Sequence, residues 1–367
     1  MENEMETVNT NILINDIRAQ PDFKGITFSD YKKTDVQKQL LENIKKARLE
    51  DACYWIGELV CSGHYTDVWE IFIQYACKYI HLGNPKIIIY LENRYNVFKN
   101  IVDKGDYLNE LQLRNHPTIR KLFCEITTTI CLSEKTNSIE SIKIKKDEFD
   151  MTQISEKLTA PSIEYIQDIF KQDDPKEFYI PANEFAYSIS ADKHSTLNAC
   201  YWIEWTIEFE KLCKKKKNKC NSESRQFVKV ENKYRNDIIW ILWDTIFYYA
   251  KTKTRFINTC IQCCFKVFCI KYTTASCKKR RYLLYFAVSL ITQQVNENIE
   301  LISPHNNNIL KNTINNLTVI YKQIKKKERS PNTEYLFKNM EQNSTFEKSM
   351  KKMELLNSID IQTHNST

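Results

Sequence analysis

Thiols give this chain its widest opportunity for chemistry, because thirteen of its 367 residues are cysteine. Cys213 and Cys220 bracket a lysine run, Cys61 and His64 stand three apart, and Cys260, Cys263 and Cys264 cluster. Structural zinc takes such ligands from turns and knuckles, whereas a cysteine inside an apolar helical stretch behaves as a small hydrophobe. Cys260 to Cys269 is a stretch of the second kind. The Cys213/Cys220 pair, in a polar segment, is the better half of a zinc site. No second half accompanies it, so no metal is assigned. Carboxylates offer a thinner case: Glu58 with His64, or Glu204 with Glu208, could share acid/base work, but glutamates four apart on a helix ordinarily decorate its surface. The six histidines are scattered, and no serine elbow, His-Glu-x-x-His or paired-carboxylate motif is present. Only five glycines occur and none follows Gly105, which excludes a Walker loop or dinucleotide fingerprint from the C-terminal two thirds. The expectation is a protein that is not an enzyme, with no catalytic residue, no cofactor and no small-molecule substrate.

Charge is the remaining handle. The net charge of +7 hides an asymmetry, since residues 191–367 hold 30 Lys/Arg against 16 Asp/Glu, and residues 1–190 hold 23 against 30. Three runs concentrate it: Lys214, Lys215, Lys216 and Lys217 with Lys219; Lys278, Lys279, Arg280 and Arg281; and Lys325 to Lys327 with Arg329. One charge run is usually a solvated face. Three in a strongly positive half make a field that attracts phosphate backbones or an acidic protein surface. The first two runs are the candidate contacts to nucleic acid or to an acidic partner, and the second could also serve nuclear import.

The elements that must position these residues read as helices. Scarce glycine, and no proline between Pro181 and Pro304, argue against hairpins and bulges. The pentapeptide Ala-Cys-Tyr-Trp-Ile occurs at 52–56 and again at 199–203. Each copy is followed by a second shared signature, Trp69 with Tyr75-Ala76 and Trp243 with Tyr249-Ala250 at the same spacing. All six tryptophans lie in these two units, at helical spacing within apolar stripes, which favours core over base-stacking platforms. The fold class expected is all-α: two related multi-helix units from an internal duplication, with additional C-terminal helices and a tail.

Along the chain, residues 1–33 read as a flexible acidic arm and 34–133 as helical unit one. Within that unit Gly63 and Gly83 stop helices, and Pro85 and Pro117 open them. Residues 134–194 read as a linker with a short helix at 161–172 and an extended stretch to about Ser190. Residues 195–330 form the basic unit two, capped at Ser195, with an insertion over 211–237 that should emerge as a surface excursion. Further helices are expected near 255–273, 278–300 and 306–329, then a tail over 331–367. The thiols and the lack of a leader-like start or a spanning apolar run lead to an expectation of cytoplasm or nucleus, not secretion, and no membrane.

Glu58-Leu-Val-Cys-Ser-Gly-His-Tyr-Thr-Asp-Val-Trp69, Lys78-Tyr-Ile-His-Leu-Gly-Asn-Pro-Lys86, Asn198-Ala-Cys-Tyr-Trp-Ile-Glu-Trp205 and Lys278-Lys-Arg-Arg-Tyr-Leu-Leu-Tyr-Phe286 carry a resemblance. Over most of residues 35–357 the chain resembles a family of uncharacterised proteins of giant, nucleocytoplasmic large DNA viruses. A weaker similarity links residues 50–90 to the helical collar of clamp-loader-type ATPases, without their ATPase module. The first resemblance implies a non-enzymatic structural or interaction protein of a large DNA virus, in the virion or the viral factory and partnered by viral proteins. A nucleic-acid-binding accessory factor in viral replication or transcription is the alternative.

Overall fold

A computed structural model describes residues 12–104, 109–150, 154–216, 220–330 and 348–352. The expected all-α class is what it shows: among the described residues no strand forms, apart from an isolated bridge between Ile26 and Lys32. The first half holds α1 (Lys33–Lys45), α2 (Leu49–Cys61), α3 (Tyr65–Tyr75), α4 (Lys86–Asp103) and α5 (Pro117–Leu132). Gly63 ends α2 in a left-handed conformation, φ 74°, and the amides of Gly63 and His64 donate back to Val60 and Leu59. That closes the last turn as a glycine stop should. After α3 the chain makes a π-helical turn, Ala76–Ile80, and a 3-10 turn, His81–Gly83. At Gly83 a Cβ would lie 2.8 Å from the carbonyl oxygen of Glu134 and the amide of Thr136, so the backbone crossing there needs glycine.

The second half holds α6 (Tyr179–Ile189), α7 (Thr196–Lys215), α8 (Ile239–Ala250), α9 (Arg255–Phe268), α10 (Thr274–Lys279), α11 (Arg281–Thr292), α12 (Pro304–Asn315) and α13 (Leu317–Lys325). Ser195 caps α7 as read, its hydroxyl accepting from the Asn198 amide at 3.3 Å. In the first half α1 packs on α2, α2 on α5 and α4 on α5. In the second, α6 packs on α7, α7 on α11 and α9 on α11, while α4 against α9, α13 against α2 and α12 against α5 join the halves. One core cluster runs from Trp202, Trp240 and Trp243 across to Ile73, Cys77 and Ile88 of the first half. Five of the six tryptophans are buried, and Trp55 is partly so.

Several expectations are overturned. Residues 161–172 form turns rather than a helix, and the stretch read as extended is α6. Pro181 is no obstacle to it: it is the third residue of α6, where backbone N–H groups have no intrahelical partner to lose. Nor is 134–194 a bare linker, because Ile154, Ile166, Ile169 and Phe178 are buried in the same core as Trp202. The arm is anchored from residue 12 onward. Ile14, Phe23 and Phe28 are buried, and the Arg18 guanidinium sits 4.8 Å from the Phe23 and Phe28 ring centres while bonding Asp16. The helix expected over 278–300 ends at Thr292, and that expected over 306–329 divides at Asn316. Residues 1–11 of the arm, and all of the tail but 348–352, lie outside the described residues.

The insertion is also drawn inward. Arg225 is buried and grips Asp174 with both terminal nitrogens, at 2.5 and 2.6 Å, and Asp244 of α8 through Nε at 3.2 Å. Val228 joins the core, and Ser222 pairs its backbone and hydroxyl with Asn236 and Asp237. A polar composition with spaced lysines looks like a solvated excursion; the inward side chains number too few to leave a period.

Candidate functional site

Two of the three basic runs meet in space. Lys214, at the end of α7, donates to the hydroxyl of Thr274 at the start of α10 at 2.8 Å, and Lys278 of α10 pairs with Glu208 of α7 at 2.8 Å. Around that junction Lys211, Lys215, Lys216, Lys278 and Lys279 are exposed. The third run instead lies beside the N-terminal segment, where Arg329 pairs with Asp30 at 3.0 Å.

Not every predicted contact residue is free on this face. Arg280 is buried, with its side chain 3% exposed, bonding Glu70 of α3 and the carbonyls of Phe268 and Ile270 that end α9. Arg281 pairs with the buried Glu204 at 2.9 Å, and Tyr285 donates to the same carboxylate at 2.8 Å. These two arginines hold helices together rather than facing a partner. Lys214 is neutralised too, 3.3 Å from both Glu210 and Asp237. Lys217 and Lys219 lie outside the described residues.

The carboxylates singled out in the sequence turn out to serve these ties. Glu204 and Glu208 accept from the second basic run, as above. Burial pushes the Glu204 carboxyl up, and the Arg281 charge opposes it. Glu58 is fully buried and accepts from the Ser29 amide at 2.9 Å, the Ser29 hydroxyl at 2.6 Å and the Thr27 hydroxyl at 3.0 Å. His64 bonds the Ile26 carbonyl at 2.8 Å. Both fasten residues 26–29 onto α2.

Cys213 and Cys220 do come near one another, and after burial the Cys213 thiol helps to push the Cys220 thiol up. Among the described residues, however, no group of three or more His, Cys, Asp and Glu side chains is arranged to hold a metal ion. Cys260, Cys263 and Cys264 face the core from α9. Sequence spacing missed a second thiol pair, Cys53 on α2 and Cys124 on α5, with sulfurs 3.3 Å apart and both side chains buried.

A concave feature lies where the halves meet. A cleft of about 640 Å³ is walled by Tyr65, Trp69 and Ile73 of α3, by Tyr95, Phe98 and Val102 of α4, and by Val267 and the turn after α9. Trp69 and Tyr95 pack edge to face, 5.1 Å between ring centres. Arg280 and Glu70 also line it, and Lys99, Lys229, Lys266 and Lys271 bring ammonium groups from three separate segments. Lys266 pairs with Glu92 at 3.3 Å and Lys271 with Glu110 at 3.7 Å, whereas Lys99 and Lys229 make no ion pair among the described residues. Two buried polar atoms of lining residues, Trp69 Nε1 and the Tyr65 hydroxyl, have no hydrogen-bond partner. Each such group costs about 1–3 kcal/mol when left unpaired.

No family model, curated protein or solved structure matches the chain.

The cleft went unread in the sequence for a plain reason. Its lysines come from α4, the insertion and the end of α9, so no local spacing announces them. In the turn after α9 Lys271 adopts a positive φ of 42°, a conformation uncommon for a residue with a side chain. Among the described residues no helix is long and apolar enough to cross a membrane.

Proposed function

We propose that this chain acts by binding rather than by catalysis, as an interaction protein of a large DNA virus that holds an acidic protein surface. The face concerned is the one where the end of α7 meets α10. What carries the reading is the contact of Lys214 with Thr274, which turns two runs more than fifty residues apart into one patch of exposed lysines. Ammonium groups of this kind are point charges suited to carboxylates and phosphates alike. An acidic protein is favoured over single-stranded nucleic acid because the nearby aromatic signatures are spent inside: Trp202 and Trp205 are 2% exposed and offer no base a platform. An internal duplication belongs to the same reading. It rests on the repeated signatures and on the matching order in which helices pair within the two halves.

The test is a salt titration of full-length protein against poly-glutamate, duplex DNA and single-stranded RNA, beside a Lys215→Ala/Lys216→Ala/Lys279→Ala variant. Poly-glutamate binding that the variant weakens fivefold or more supports the reading. Preferential duplex binding, with a log-log salt slope of about −0.9 per phosphate contacted, would move the function to nucleic acid. Binding to none of these at low salt overturns it.

A further inference from the structure

We propose that the cleft between α3, α4 and α9 binds a mononucleotide, a nucleoside carrying one or more phosphates. This goes beyond the acidic-partner face and rests on other residues. At about 640 Å³ the cleft falls within the ~300–1,000 Å³ of small-ligand sites, and it sets an apolar, aromatic wall beside convergent charged groups.

What those groups lack defines the ligand. The ammonium groups of Lys99 and Lys229 are donors without an ion partner among the described residues, and they call for an anion rich in acceptor oxygens. The wall beside them is aromatic. Tyr95, partly exposed and braced edge-on by Trp69, presents a ring on which a flat base can stack. Asp103, exposed and one helical turn beyond Lys99, accepts where a ribose hydroxyl or an exocyclic amine donates. A simple anion would leave the aromatic wall unused, and a neutral aromatic would leave the lysines unused. Lys266 and Lys271 can join the phosphates cheaply, since their present partnerships involve side chains 60% and 65% exposed to solvent. Because α3 and α4 supply one wall and α9 the other, with Arg280 bonding both sides, a bound nucleotide would bridge the two halves.

Isothermal titration calorimetry on the full chain with AMP, GMP, ATP, adenosine and inorganic phosphate tests this. Saturable nucleotide binding is expected, with adenosine and phosphate each at least tenfold weaker. Lys99→Ala/Lys229→Ala, two exposed lysines, should weaken nucleotides at least tenfold and leave adenosine unchanged; Tyr95→Ala should weaken both, with circular dichroism reporting an intact helical fold. The proposal is overturned by the absence of saturable nucleotide binding, by phosphate binding as tightly as AMP, or by binding that neither cleft variant alters. It is overturned equally by binding that falls only when Lys215, Lys216 and Lys279 are changed, and that outcome leaves the acidic-partner reading standing.

Discussion

Arg280 bonds Glu70 across 210 positions of sequence, its guanidinium buried against α3 while the same group caps the carbonyls of Phe268 and Ile270. One side chain thus ties α3 of the first half to the end of α9 and the start of α11. Guanidinium geometry suits this, with a planar fork that serves carboxylate and carbonyls together, which an ammonium cannot do. Arg280→Ala should destabilise by about 3–5 kcal/mol, because the Glu70 charge and two carbonyls lose their partner. Arg280→Lys should recover less than half of that loss in urea unfolding. A loss near zero for Arg280→Ala would mean that helix packing across the halves, α4 on α9, α13 on α2 and α12 on α5, holds them without this tie.

His81 predicts a pH dependence. It is buried against the Phe286 ring, 5.2 Å between centres, with Nε2 unpartnered, and burial depresses its pKa to about 4 although the Tyr285 backbone opposes this. The unfolded chain, with an ordinary histidine value, binds the proton more readily. Stability from neutral His81 is therefore full above about pH 6.5 and is lost as pH falls toward 4, by ~3 kcal/mol in all. Burial lowers His64 and His116 as well, so His81→Asn should remove only part of the acid slope. An unchanged slope in urea midpoints between pH 6.5 and 4 would refute the assignment.

Glu210 acts with the opposite sign. Burial, and then the neighbouring Asp237 carboxylate, push its pKa up to about 7, with the Lys214 ammonium opposing. The folded state thus holds the proton more tightly than the unfolded one. Its contribution is full below about pH 4.5 and is lost as pH rises through 7. Glu210→Gln, which keeps the shape and fixes neutrality, should raise the denaturant midpoint at pH 8 relative to the native chain and leave it nearly unchanged at pH 4.5. Equal shifts at both values would show that the proton is not on this residue.

Helix positions were largely legible from caps and stops. Ser195, Pro117 and Gly63 each act locally, through a hydroxyl, a preset φ or a left-handed turn, so they can be read one at a time. Pairings across the chain were not. Glu204 and Arg281, or Asp174 and Arg225, are ordinary surface residues by composition and become buried ties only because distant segments pack, two helices in the first case and two connecting segments in the second. The basic runs were visible as charge, but a run does not say which members turn inward: of Lys278 to Arg281, the two arginines do. The cleft was invisible for the same reason, its lysines being single residues on separate segments.

The thiols supply the last prediction. Eleven of the thirteen cysteines are buried and only Cys220 and Cys269 are half-exposed. Reaction needs the thiolate, and burial opposes it even at these two: Cys220 is pushed up by burial and then by the Cys213 thiol, and Cys269 is raised to about 12. Cys263, on the core side of α9, is raised to about 11. Native protein at pH 8 should therefore react slowly with a thiol reagent, first at Cys220 and Cys269, and all thirteen should react at once in denaturant. A metal would invert this, since a coordinated sulfur is already deprotonated and releases its proton on binding. Zinc measured on freshly purified protein should stay far below one per chain. Stoichiometric zinc, with Cys213 and Cys220 protected until a chelator is added, would restore the zinc half-site.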